Sequence, residues 1–225
     1  MKTRSFHSAL LGWVISGLLA AAVSANTPET APTALSPAAA QTRLVEGNKR
    51  FVDEATTHPD QTAARRREVA QGQHPFAIVL TCADSRVSPE ILFDQGIGDL
   101  FVIRNAGNLS DDHVLGSIEY AVEHLHATMI VVLGHTKCGA VAAAVAGGEA
   151  PGHIKSIVED LADAVSMAKK KPGDPADNAV RINAKLTAAA ISQAAPILSE
   201  AVKSGHVKVV AARYDIATGA VEFLQ

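Results

Sequence analysis

Four short stretches of this 225-residue chain are almost wholly apolar: Phe76-Ala77-Ile78-Val79-Leu80, Leu100-Phe101-Val102-Ile103, Met129-Ile130-Val131-Val132-Leu133 and Val207-Lys208-Val209-Val210-Ala211-Ala212. Runs this short, with little polar alternation, fit strands covered on both faces, as in a parallel sheet. Between them the apolar period changes to that of a helix. Val114, Leu115, Ile118, Val122 and Leu125 make one face of a helix that begins near Asp111, where Asp111 and Asp112 provide a cap and a favourable contact with the helix dipole. Ala-rich helical stretches follow near 153–170 and 176–203, and Gly147-Gly148 reads as a helix stop. Ahead of the first strand, Leu44, Val45, Phe51 and Val52 mark an amphipathic arm. A second helix near 62–71 carries Arg65-Arg66-Arg67, which reads as a solvated face rather than a phosphate patch. Strands alternating with helices predict an α/β fold, with a mostly parallel central sheet flanked by helices and an N-terminal helical arm.

The N-terminus follows a different rule. Lys2 and Arg4 precede an apolar stretch from Ala9 to Val23 that ends in small residues, Val23-Ser24-Ala25. This is the pattern of a secretory signal peptide over residues 1–25, cleaved after Ala25 and leaving no membrane anchor. Residues 26–38, rich in Pro, Thr and Ala, read as a flexible leader, and 39–225 as a single domain. The expected compartment is periplasmic or extracellular. Cleavage would remove two of 20 basic residues and none of 23 acidic ones, moving the formal charge two units more negative than −3. That balance argues against a nucleic-acid partner.

The candidate chemistry sits where the strands end. In open parallel sheets functional groups collect outside the carboxyl ends of the strands. Cys82-x-Asp84-x-Arg86 follows the first run and His135-x-x-Cys138 the third. Two thiolates and an imidazole suit zinc in softness and number, and three protein ligands leave the fourth position that catalytic sites keep. Two cysteines in an exported chain also suit a disulfide, and the count alone leaves both open. A disulfide has no use for His135, Asp84 or Arg86. Gly96-Ile97-Gly98 is no dinucleotide loop, because it precedes a strand instead of opening a helix after one.

Thr81-Cys82-Ala83-Asp84-Ser85-Arg86-Val87 and Gly134-His135-Thr136-Lys137-Cys138-Gly139 resemble the paired signatures of the β-class carbonic anhydrases. The similarity runs from Glu46-Gly47-Asn48 through Phe93-Asp94-Gln95-Gly96 and Arg104-Asn105-Ala106-Gly107-Asn108 to Tyr214-Asp215-Ile216-Ala217-Thr218-Gly219, nearly the whole mature chain. The resemblance implies zinc, one per chain, on Cys82, His135 and Cys138, with Asp84 and Arg86 as the catalytic dyad. It also implies bicarbonate binding by Gln73, an apolar carbon dioxide pocket including Phe101 and Tyr120, and anion donation by the Gly139 N–H. By spacing alone Gln73 is a surface residue, and the two aromatics are core. The implied assembly is a homodimer or a dimer of dimers, with part of the pocket supplied across the subunit contact. Three departures stand out: Ala83 replaces the usual Ser, Ala106 replaces a branched apolar residue, and Val79 stands where the allosterically inhibited subgroup has Trp. The chain is closer to the subgroup with an open zinc, in which Asp84 becomes a fourth ligand only in a closed form.

The chemistry agrees with those assignments. Hydrating carbon dioxide near neutral pH needs a hydroxide, and zinc brings the pKa of a bound water to about 7. Asp84 is spaced to orient that nucleophile, and Arg86 to keep Asp84 charged and off the metal. Two rival readings remain at this stage: a zinc enzyme acting on carbonyl sulfide or carbon disulfide, and a non-enzymatic exported protein with paired cysteines or a structural metal. Arg104 is expected to pair with a carboxylate at a subunit contact.

Overall fold

The computed structural model describes residues 34–225; the expected signal peptide and most of the expected leader lie outside them. In chain order the elements are α1 (Pro37–Val52), α2 (Ala63–Val69), β1 (Ala77–Cys82), α3 (Pro89–Leu92), β2 (Leu100–Asn105), α4 (Asp112–Glu123) and β3 (Met129–His135). There follow α5 (Gly139–Ala146), α6 (Ile154–Asp160), α7 (Ala162–Ala168), α8 (Pro175–Gln193), α9 (Ile197–Lys203), β4 (Lys208–Tyr214) and β5 (Val221–Leu224). Among the described residues no helix is long and apolar enough to cross a membrane.

The unbroken apolar runs become the centre of the sheet. β1 and β3 are buried along their whole length and lie side by side in a five-stranded sheet of order β2-β1-β3-β4-β5. All pairings are parallel except that of β5, which runs antiparallel to β4. Successive side chains in a strand point to opposite faces. Ile78, Leu80, Ile130 and Val132 therefore pack with α4, α8 and α9 through Ile118, Val122, Ile191 and Leu198. Ala77, Val79, Met129, Val131 and Leu133 pack on the other side with Ala40 and Leu44 of α1 and with Leu92. The arm is thus bound to its own sheet. Its Asn48 amide donates to the carbonyls of Leu92 and Gly219, both at 2.9 Å.

Several boundaries differ from the expectation. α1 begins at Pro37, inside the expected leader, because Ser36 caps it by accepting from the Ala39 N–H at 3.2 Å and Pro37 suits the first helical turn. The stretch 153–170 divides at Leu161, whose side chain is buried beneath the cysteines. The stretch 176–203 divides at Pro196, which has no N–H to extend α8. Gly147, at φ 70°, ends α5 as a stop should. β5 and the single turn α3 carry too few residues for a period to register.

Candidate metal centre

The shortest route between the two signatures is the β1–β3 pairing. Thr81 stands opposite Leu133, so Cys82 at the end of β1 and His135 at the end of β3 emerge at the same edge. Close packing sets the height of that edge: a Cβ on Gly134 would lie 2.9 Å from Val180 Cγ1 of α8, so only glycine lets the helix sit this near. Past His135 the chain turns through Lys137, at φ 57°, and Cys138 becomes the residue that opens α5. Cys82, His135 and Cys138 are all buried, and their ligand atoms lie within 4.8 Å of one another.

The cysteines are not bonded; their sulfurs are 4.0 Å apart. The Cys82 thiol is drawn down to about 4, first by the hydrogen shared with Cys138 and against the effect of burial, with further help from His135 and the N–H groups of Gly107 and Asp84. Cys138 is pushed up in turn by Cys82 and by burial. Near neutral pH the pair therefore carries one thiolate and one firmly held proton, and a cation bound between the sulfurs would displace that proton.

His135 supplies the test of fit. Its Nδ1–H donates to the Thr136 carbonyl at 2.9 Å, which leaves the Nε2 lone pair free. That Nε2 is buried and has no hydrogen-bond partner. An orphaned buried acceptor is costly unless something binds it. Two thiolates on one tetrahedral zinc stand about 3.8 Å apart, given bonds of about 2.3 Å, close to the separation here. The donor set fits zinc.

Asp84 lies just outside the three donors, with Oδ2 3.9 Å from His135 Nε2. Arg86 holds it: Nε donates to Oδ1 at 2.9 Å, Nη2 to Oδ2 at 2.7 Å, and the Arg86 backbone N–H to Oδ1 at 3.0 Å. Nη2 also reaches the Lys137 carbonyl at 3.2 Å, tying the first signature to the second. The Arg86 guanidinium holds the Asp84 carboxyl well below the usual carboxylate range. Gly139 opens α5, and its exposed N–H is one of the first-turn donors that no helix carbonyl takes up.

Other expected residues are not brought here by the same chain. Gln73 is exposed and precedes β1, at the opposite end of that strand from Cys82. Phe101 pairs with Ile78 in the register that sets Asn105 beside Cys82, so it lies four strand residues, roughly 13 Å, back along the sheet. Tyr120 stacks near it, ring centroids 6.5 Å apart, but is 48% exposed and so no core residue. Arg104, expected at a subunit contact, donates within its own chain to backbone carbonyls, Nη2 to Asp84 at 2.8 Å and Nε to Cys82 at 3.4 Å. Gly107 points its N–H at Cys82 Sγ from 3.5 Å, and its sole sequence signal is its place in Arg104-Asn105-Ala106-Gly107-Asn108.

Residues 77–221 match the family described as carbonic anhydrase. The chain is 42% identical over 187 residues to carbonic anhydrase 2 of Mycobacterium tuberculosis, spanning 81% of this chain and 90% of that protein. It is 41% identical over 190 residues to the carbonic anhydrase of Mycolicibacterium smegmatis, spanning 83% and 92%. Among solved structures it resembles the Coccomyxa β-carbonic anhydrase in complex with acetazolamide, at 30% identity and TM-score 0.64, covering 80% of this chain and 84% of that one. It also resembles a tetrameric β-carbonic anhydrase of Sordaria macrospora, at 26% identity and TM-score 0.66, covering 71% and 85%.

Proposed function

This chain belongs to the β-class carbonic anhydrases and is an enzyme of carbon dioxide hydration, and we propose that it works with one zinc ion per chain held by Cys82, His135 and Cys138. The observation that carries the metal is the buried, unpartnered His135 Nε2 beside two unbonded sulfurs. Zinc bound there supplies Lewis acidity, so that a hydroxide nucleophile exists near neutral pH.

The remaining work falls to the side chains. Asp84, kept ionised by Arg86, accepts a hydrogen bond from the nucleophile and fixes where its lone pair points. Arg86 grips both carboxylate oxygens and thereby keeps Asp84 from turning in to ligate. The Gly139 N–H donates to the product anion. Because Gln73, Phe101 and Tyr120 stand away from the metal edge of their own chain, they act on the site of a second chain in a homodimer. The half-exposed edge strand β2 and the exposed Tyr120 suit such a contact, and the Sordaria relative is tetrameric. The enzyme is exported, with residues 1–25 as its signal.

Metal analysis with thiol titration, paired with stopped-flow hydration before and after chelation, tests this reading. About one zinc per chain, no disulfide, and activity lost on chelation and restored by zinc are expected. A metal-free protein that keeps full activity would sink the proposal.

A further inference from the structure

Asn183 is the one amide on a face of α8 otherwise made of Ala179, Val180, Ile182, Ala184, Ala188 and Ile191, with Thr187 one turn on. It is 4% exposed. A buried amide is costly unless its hydrogen bonds are made, and nothing in the packing of an Ala-rich helix requires one. Its Nδ2 donates to the Gly107 carbonyl at 2.8 Å. Gly107 belongs to the turn after β2, far from α8 in sequence, and stands at φ 84°, which other residues rarely adopt. The Gly107 N–H donates in turn to Cys82 Sγ at 3.5 Å.

We infer that Asn183 is a positioning residue for the metal centre: by holding the Gly107 carbonyl it fixes the turn whose N–H is aimed at the Cys82 sulfur. This rests on the reading of Cys82 as a zinc ligand. An N–H donated to a metal thiolate draws electron density from the sulfur, so it sets how much charge the sulfur passes to the ion. Two thiolates donate more charge than histidines do, and a hydrogen bond to one of them keeps the ion a stronger Lewis acid. The alternative anchors for the turn are weak. The three atoms that a Cβ on Gly107 would approach most closely, on Leu109, Leu161 and Ala140 at 3.6–3.7 Å, belong to apolar side chains that do not orient a peptide. Asn105 braces the same turn from its other end, through its amide to the Leu109 carbonyl and its oxygen to the Leu109 N–H, both at 2.8 Å. Asn183 is the part that reaches it from another element.

The test compares Asn183→Leu, of similar size but without a donor, with Thr187→Val on the same buried face. Each full-length protein is titrated with zinc against a chelator, and the cobalt-substituted form is examined for its sulfur-to-cobalt charge-transfer band. Asn183→Leu is expected to bind zinc about 10- to 100-fold more weakly or with altered exchange, to shift that band, and to move the pH profile of kcat, while Thr187→Val matches the parent. Should Asn183→Leu fail to fold, Asn183→Ser, shorter and still polar, makes the same comparison. Parent-like zinc affinity and an unmoved band in the folded variant would overturn the positioning role. A parent protein that itself binds neither zinc nor cobalt would instead overturn the metal reading.

Discussion

Arg86 meets Asp84 with two parallel hydrogen bonds, Nε to Oδ1 at 2.9 Å and Nη2 to Oδ2 at 2.7 Å, while Oδ2 stays 3.9 Å from His135 Nε2. The carboxylate therefore borders the metal donors without joining them. The geometry depends on a planar fork, which arginine has and lysine lacks. Arg86→Ala should lower kcat by about 100-fold or more while most of the zinc is retained, and Arg86→Lys should recover little. Stopped-flow rates read beside the zinc content of the same samples decide it. An active, zinc-loaded Arg86→Ala enzyme would remove the gating role.

The position of Gln73, before β1 and away from Cys82, predicts complementation between chains. Gln73→Ala and Asp84→Asn homodimers should both be impaired. A mixed dimer would carry one site with both residues intact and one with neither, so unfolding and co-refolding the two variants should restore about half the parent activity per mixed dimer. No recovery on mixing, with mixed dimers present, would place Gln73 outside the site.

How far the sequence reached follows from the range of each signal. Cys82 and His135 were legible because each ends a buried apolar run, and parallel strands place such ends together. Asp84 and Arg86 lie within four residues of Cys82, so spacing alone put them at the same edge. Gln73, Phe101 and Tyr120 stand away from the metal edge of their own chain, and no periodicity within one chain encodes a contact with a second. Asn183 was invisible for another reason: one amide in an Ala-rich helix carries no pattern, and its meaning appears only when α8 lies against the turn at Gly107. β5 carries no readable period because Val221–Leu224 is four residues long, whereas the split at Pro196 is legible from proline chemistry alone.

The arm crosses the loop after α3 so closely that a Cβ on Gly47 would fall 1.8 Å from the Phe93 carbonyl oxygen. That neighbour is backbone and cannot swing away. Gly47→Ala should cost about 2–3 kcal/mol and lower the melting temperature, with α1 the first element to lose protection in hydrogen exchange. Unchanged stability would mean that α1 can lift from the sheet at no cost.

The proposed export signal rests on the mostly apolar stretch from Ala9 to Val23. Leu11→Arg should trap uncleaved protein inside the cell, while the parent's mature N-terminus should be Asn26. Fractionation with N-terminal sequencing reads both, and a parent that starts at Met1 in the cytoplasm would refute the assignment.

Asp94 gives the last prediction, on acid stability. Burial pushes its carboxyl up, but the Thr57 N–H, Arg50 Nε at 2.6 Å, the His58 N–H at 3.0 Å and the Thr57 hydroxyl at 3.0 Å outweigh it and hold the group down to about 2. In the unfolded chain the same carboxyl titrates near 3.9. A folded pKa below the unfolded one means stability that is present above about pH 4 and lost as pH falls toward 2. The shift corresponds to about 2 kcal/mol. Asp94→Asn should thus be less stable than the parent at pH 7, and the gap between their melting temperatures should narrow through that acid window. Other carboxylates titrate alike in both proteins, so the difference isolates Asp94. A gap that stays constant from pH 7 to pH 2 would show that its network contributes packing and no charge-linked stability.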